Sequence, residues 1–224
     1  MNPYRSDQPK QRSLFESDET ANPASLTPNA KAAASEAHDP SSADSLAALK
    51  QLADACERCQ LRSGCQQVVF GEGNADADLV FVGEGPGADE DRMGRPFVGR
   101  AGRLLDRMLI ASGLDRDDIY ITNIVKCRPP GNRTPLPEER AICLPYLVRQ
   151  MELIQPKVII SAGAAATQGL LDPTAKITKI RGTWREWQGI AVMPIFHPAA
   201  LLRDPGKKAP TWEDMKKVMS FLNQ

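Results

Sequence analysis

The chain has 224 residues, enough to bury one substantial core without disulfide staples, and its acidic and basic residues balance at 28 each. That balance excludes attachment to nucleic acid or membrane through overall charge, so any such contact has to be made by a local face. No unbroken apolar run is long enough to span a bilayer, and MNPYRSDQPK at the start has no apolar core behind it, which predicts a soluble, cytoplasmic protein with no membrane partner.

Residues 1–44 are rich in Ser, Ala, Asp, Asn and Pro and have no sustained apolar period, a composition that cannot offset chain entropy and predicts a disordered tail. The folded domain is expected over 45–224. Leu46, Leu49, Leu52, Ala53 and Cys56 recur at helical spacing, with Asp44 or Ser45 available as N-cap. Leu79-Val80-Phe81-Val82 reads as a buried strand that stops at a glycine-dense turn. Leu104, Leu105, Met108 and Leu109 form a helical stripe closed by Gly113. Ile119–Ile121 and Val158–Ile160 are two more buried strands. Between them lies a helix that opens at Pro137-Glu138-Glu139, carries Leu144, Leu147 and Met151, and is expected to kink or split at Pro145. A last strand near Ile190–Phe196 and a helix over Trp212–Leu222 complete the order. This alternation predicts the α/β class, a three-layer α/β/α sandwich around a central, mostly parallel four-stranded sheet.

Ligands of such sheets sit beyond the carboxyl ends of the strands. The rule selects Gly83–Gly99, Thr122–Arg133, Ser161–Ala164 and His197–Arg203, of which the first, second and fourth hold nearly all the polar residues of interest. Gly83-Glu84-Gly85-Pro86-Gly87 lacks both the Lys-Ser/Thr of a P-loop and the spacing of a dinucleotide fold, which disfavours nucleotide hydrolysis. Its glycines would let backbone approach a ligand, with Glu84, Glu90 and Asp91 nearby. His197 is one of two histidines, and the other, His38, falls in the tail. At a strand end, His197 suits proton donation or charge stabilisation. Three basic clusters are candidate phosphate contacts: Arg92, Arg95, Arg100 and Arg103; Lys126, Arg128 and Arg133; Arg203, Lys207 and Lys208.

Five unevenly spaced cysteines make a poor disulfide framework. Cys56 and Cys59 could share one metal centre, and Cys127 and Cys143, at a strand end and in the next helix, could join them, which leaves Cys65 spare. Four thiolates suit structural zinc or a [4Fe-4S] cluster, and spacing alone does not decide.

Taken together, GEGPGADEDRMGRPFVGRAG, YITNIVKCRPPGNR and HPAALLR resemble the three signature segments of the family-4 uracil-DNA glycosylases, and the four cysteines match that family's cluster ligands in order and spacing. The resemblance runs from about Ala47 to the last helix. It implies a [4Fe-4S] cluster on Cys56, Cys59, Cys127 and Cys143. It also implies a monomer that releases free uracil from single- or double-stranded DNA. By the same resemblance Phe97 would stack on the flipped base, Gly83 and Gly85 would also contact it, and Asn123 would read its polar edge. His197 would stabilise charge on uracil O2. Water would be placed by Asn132 with Glu84 or Glu90, because Gly85 stands where better-known uracil glycosylases carry an aspartate. Leu201 or Leu202 would wedge into the duplex from a loop, Arg203 would meet phosphate, and Glu90 or the Gly87 backbone would wall out the thymine methyl. A covalently DNA-linking relative carries a histidine after the second motif. Here that stretch is Arg128–Arg133 without one, so turnover is expected to be reversible.

Overall fold

The computed structural model describes residues 39–224. Residues 1–38, most of the expected tail, lie outside the described residues. Packing starts ahead of Ser45, where the domain was expected to begin. Pro40–Ser42 form a 3-10 turn capped by Asp39, Ala43 is buried, and its carbonyl accepts two bonds from the Arg149 guanidinium at 2.8 and 2.6 Å.

The strands are β1 (Glu72–Gly73), β2 (Leu79–Gly83), β3 (Tyr120–Asn123), β4 (Val158–Ala162), β5 (Arg185–Trp187) and β6 (Ile190–Ile195). Around them run helices α1 (Leu46–Asp54), α2 (Leu61–Gly64), α3 (Ala88–Met93), α4 (Arg100–Ala111), α5 (Pro137–Ile154), α6 (Gly163–Leu170), α7 (Ile177–Ile180), α8 (Pro198–Arg203) and α9 (Lys208–Leu222). The sheet order is β1-β3-β2-β4-β6-β5. Its four central strands are parallel, as the alternation of elements implied. The antiparallel edge strands β1 and β5 are additions to the expected four, too short to show an apolar period.

β2 and β4 are buried at every position, which is why they read as continuous apolar runs. Their side chains still alternate. Leu79 and Phe81 enter a core with Leu105, Leu109, Met215 and Val218, and so face α4 and α9. Val80 and Val82 enter the other core with Leu147, Met151, Ala166 and Leu170, facing α5 and α6. Full burial of one such side chain contributes about 1.5–3 kcal/mol over leaving it exposed, and the two faces together fix the three layers.

Helix ends follow local chemistry. Ser45 caps α1 by accepting from the Ala48 amide at 3.2 Å. Gly113, at φ +78°, closes α4 while Leu114 N–H reaches the Leu109 carbonyl at 3.0 Å. The Glu139 carboxylate accepts from the Leu136 amide at 2.7 Å at the start of α5. Pro145 does not split α5, which runs unbroken through it. Buried Tyr146, Leu147, Gln150 and Met151 on the following turn hold that segment helical, offsetting a proline cost of about 3 kcal/mol. Among the described residues no helix is long and apolar enough to cross a membrane.

Because β2 lies between β3 and β4, successive connections leave its carboxyl end on opposite sides. A crevice opens at that point.

Candidate active site

A pocket of about 430 Å³ occupies this crevice, lined among others by Glu84, Gly85, Glu90, Phe97, Asn123, Asn132, His197 and Arg203. Three strand ends supply it. β2 runs into Glu84, β3 ends on Asn123, and β6 is followed within two residues by His197.

Asn123 is 1% exposed, and its carboxamide oxygen is a buried side-chain polar atom with no hydrogen-bond partner. An orphaned acceptor at the wall of a cavity is costly unless a ligand completes it. The approach depends on Gly83, where a Cβ would stand 2.4 Å from that oxygen and 2.4 Å from the Phe97 ring. Phe97 is buried, meets Phe81 edge-on at 5.2 Å and tilts against His197 at 5.5 Å. At Gly85 a Cβ would lie 2.8 Å from Val125 Cγ2, so an aspartate there would need that side chain to move.

His197 caps α8, with Nδ1 accepting from the Ala199 amide at 3.1 Å. In a neutral ring this leaves the proton on Nε2. Burial, and then the charge of Arg203, lower its pKa to about 4, so the imidazole is neutral at physiological pH. The close seat requires Gly163 at the end of β4, where a Cβ would meet His197 Cβ at 2.9 Å. Gly163 sits in the one selected segment without polar residues of interest, and only its φ of +87° marks it.

Glu84 is half-buried, and burial holds its carboxyl above the usual value against a hydrogen bond from Thr134 and the fields of Arg140 and Arg203. Glu90 is differently employed. Its oxygens accept from the amides of Val98 (3.0 Å), Gly99 (2.8 Å) and Gly87 (3.1 Å), so it shapes the loop. Asn132, exposed at the rim at φ +56°, accepts from Arg128 Nε at 2.7 Å.

Two expectations change. HPAALLR is not a loop: residues after His197 form α8, on which Leu201 is 2% exposed and Leu202 42%. Leu201 is core, so Leu202 alone remains available as a wedge. Lys126 is not a phosphate contact either. It is buried, and Nζ donates to Thr122 Oγ1 (2.6 Å), the Asn123 carbonyl (2.9 Å) and Gln150 Oε1 (2.6 Å). Arg92 pairs with Asp89, Arg95 with Glu72 and Arg133 with Glu139, so these three of the expected basic residues are engaged within the chain.

Cys56, Cys59, Cys127 and Cys143 line a second, smaller cavity with Lys126, Tyr146 and apolar side chains. Burial raises the Cys59 thiol, and it raises Cys143 to about 11. Burial, and then the neighbouring Cys65, hold the Cys127 thiol above its usual value, so Cys65 lies beside the set. Among the described residues no three His, Cys, Asp or Glu side chains converge on one point as ligands of a single ion. Four thiols around the wall of a cavity fit a group bound at four corners.

The family model described as the uracil DNA glycosylase superfamily matches residues 70–216. The chain is 49% identical over 173 residues to the type-4 uracil-DNA glycosylase of Thermotoga maritima, covering 75% of this chain and 90% of that protein. It is 43% identical over 184 residues to the type-4 enzyme of Sulfurisphaera tokodaii, covering 78% and 84%. With that of Archaeoglobus fulgidus it shares 45% over 171 residues, covering 73% and 86%.

Proposed function

The chain belongs to the uracil-DNA glycosylase superfamily, among the type-4 enzymes, and from that membership we infer how its own residues remove uracil from DNA. The reaction hydrolyses the N-glycosidic bond: water adds hydroxyl to the sugar C1′ and a proton to the departing base, leaving an abasic site for base-excision repair. A base inside the duplex cannot be reached, so it must first leave the stack.

One observation carries the reading, the unpartnered Asn123 oxygen. Uracil presents an N3–H donor beside its O4 acceptor, and one carboxamide meets both, oxygen to N3–H and amide N–H to O4. Cytosine presents the opposite pair and would set like against like. Phe97 offers the face on which the base stacks, an interaction of about 1–3 kcal/mol per base that is indifferent to sequence. As the bond breaks, charge gathers on O2, and the Nε2–H of neutral His197 donates to it. Glu84, with Asn132 at the rim, orients the attacking water. Leu202 enters the gap left by the base, and Arg203 meets phosphate. DNA is accepted single- or double-stranded, and free uracil is the product.

Cys56, Cys59, Cys127 and Cys143 would hold a [4Fe-4S] cluster. Zinc would draw four sulfurs to within about 2.3 Å of one point, whereas a cluster takes them around a cavity like the one these residues line. Bound there, the cluster would supply a structural tie.

Abasic-site formation on oligonucleotides carrying one uracil tests the reading. His197→Ala should lower kcat by about 10²–10³ with little change in DNA affinity, and Asn123→Asp should admit cytosine. Parental rates in both variants would refute these roles.

A further inference from the structure

Phe97 carries the ring that faces the base, yet its backbone, at φ +53°, lies in the left-handed region that a bulky L-residue rarely occupies. What holds it comes from outside the pocket. Arg116, in the 3-10 turn leading into β3, donates from Nη1 to the Phe97 carbonyl at 3.0 Å and from Nη2 to the Pro96 carbonyl at 2.7 Å. Asp106 and Glu72 grip the same two nitrogens, each at 2.8 Å. Each terminal nitrogen of the flat guanidinium thus meets one carboxylate and one of two successive carbonyls. Across the turn Glu90 takes the next two amides, those of Val98 and Gly99. Gly102 makes room for this carbonyl, since a Cβ there would fall 1.7 Å from the Phe97 oxygen.

We propose that Arg116 is a positioning residue for base recognition: by clamping the Pro96 and Phe97 carbonyls it keeps Phe97 in the left-handed conformation that presents its ring to the flipped base. The proposal rests on Phe97 being the stacking surface. It differs from a role in stability alone, because a structural ion pair needs only a cation beside Glu72 and Asp106, whereas the clamp needs a planar fork that reaches both carbonyls at once.

The test is a double-variant cycle on the full-length protein, reading kcat/KM for uracil release from a single-stranded oligonucleotide together with the thermal midpoint. Arg116→Met should lower kcat/KM about tenfold in the parent, the part of the base-stacking affinity that a misplaced ring forfeits, but less than about twofold when Phe97→Ala is already present. Arg116→Lys should melt near the parent and still lose activity as Arg116→Met does, since one ammonium cannot replace the fork. Should Arg116→Met not fold, Arg116→Lys carries the same comparison. Losses that multiply in the double variant, or a lysine that restores parental kcat/KM, would overturn the proposal while leaving Phe97 its role. Parental kcat/KM in Phe97→Ala itself would overturn both.

Discussion

At the scale of single residues, His197 and Glu84 have been moved in opposite directions from their ordinary pKa values, and acid should separate them. His197 falls from 6.5 to about 4 on folding. Between those values the unfolded chain binds more protons than the folded one, so the stability associated with neutral His197 is full above about pH 6.5 and is lost as pH drops through the window. His197→Gln should flatten the acid side of a plot of melting temperature against pH. Activity should fall in acid for another reason. Burial holds the Glu84 carboxyl above its usual value; in the proposed role its protonation would remove the group that orients water, so the acid limb of kcat/KM should belong to Glu84. Glu84→Gln should have low, nearly flat activity, and an unchanged limb in that variant would contradict the assignment.

At the scale of elements, α8 shows what two adjacent leucines do when a loop is in fact a helix. Leu201 turns inward and is buried, while Leu202 points to solvent. Leu201→Ala should destabilise the fold by about 2–5 kcal/mol, measured by denaturant titration. Leu202→Ala should leave stability alone and slow uracil release from duplex more than from single strands. If the two exchange behaviours, the wedge assignment is wrong. The same helix marks the limit of reading the sequence. The central strands were legible because burial on both faces leaves an unbroken apolar run, as in Leu79–Val82, and helix ends were legible because Ser45 and Gly113 have local chemistry. Which of Leu201 and Leu202 packs against the core depends on the seat of α8, which neighbouring residues do not encode. Asn123 and His197 could be picked out from strand ends and motifs. Arg116 could not, because its partners Glu72, Pro96, Phe97 and Asp106 gather only through the fold, and Lys126 passes for surface basic charge in a sequence that does not display its burial.

At the scale of the whole molecule, the thiol-lined cavity and the base pocket belong to one stretch of chain, since Asn123 ends β3 and Cys127 follows four positions later. α1 packs beside that cavity, its Leu49 and Ala53 in one core cluster with Tyr146 of α5. Cys56→Ser should therefore lose visible iron-sulfur absorbance and lower the melting temperature while it loosens α1, followed as faster proteolysis near Asp54. Undiminished iron in that variant would displace Cys56 from the ligand set. The ion pairs that occupy Arg92, Arg95 and Arg133 have a further consequence for DNA binding. Affinity gained by expelling counterions from DNA scales with the number of phosphates neutralised, and an arginine held by its own carboxylate must leave that partner before it can neutralise one. These three arginines should therefore add little to the salt dependence of DNA binding.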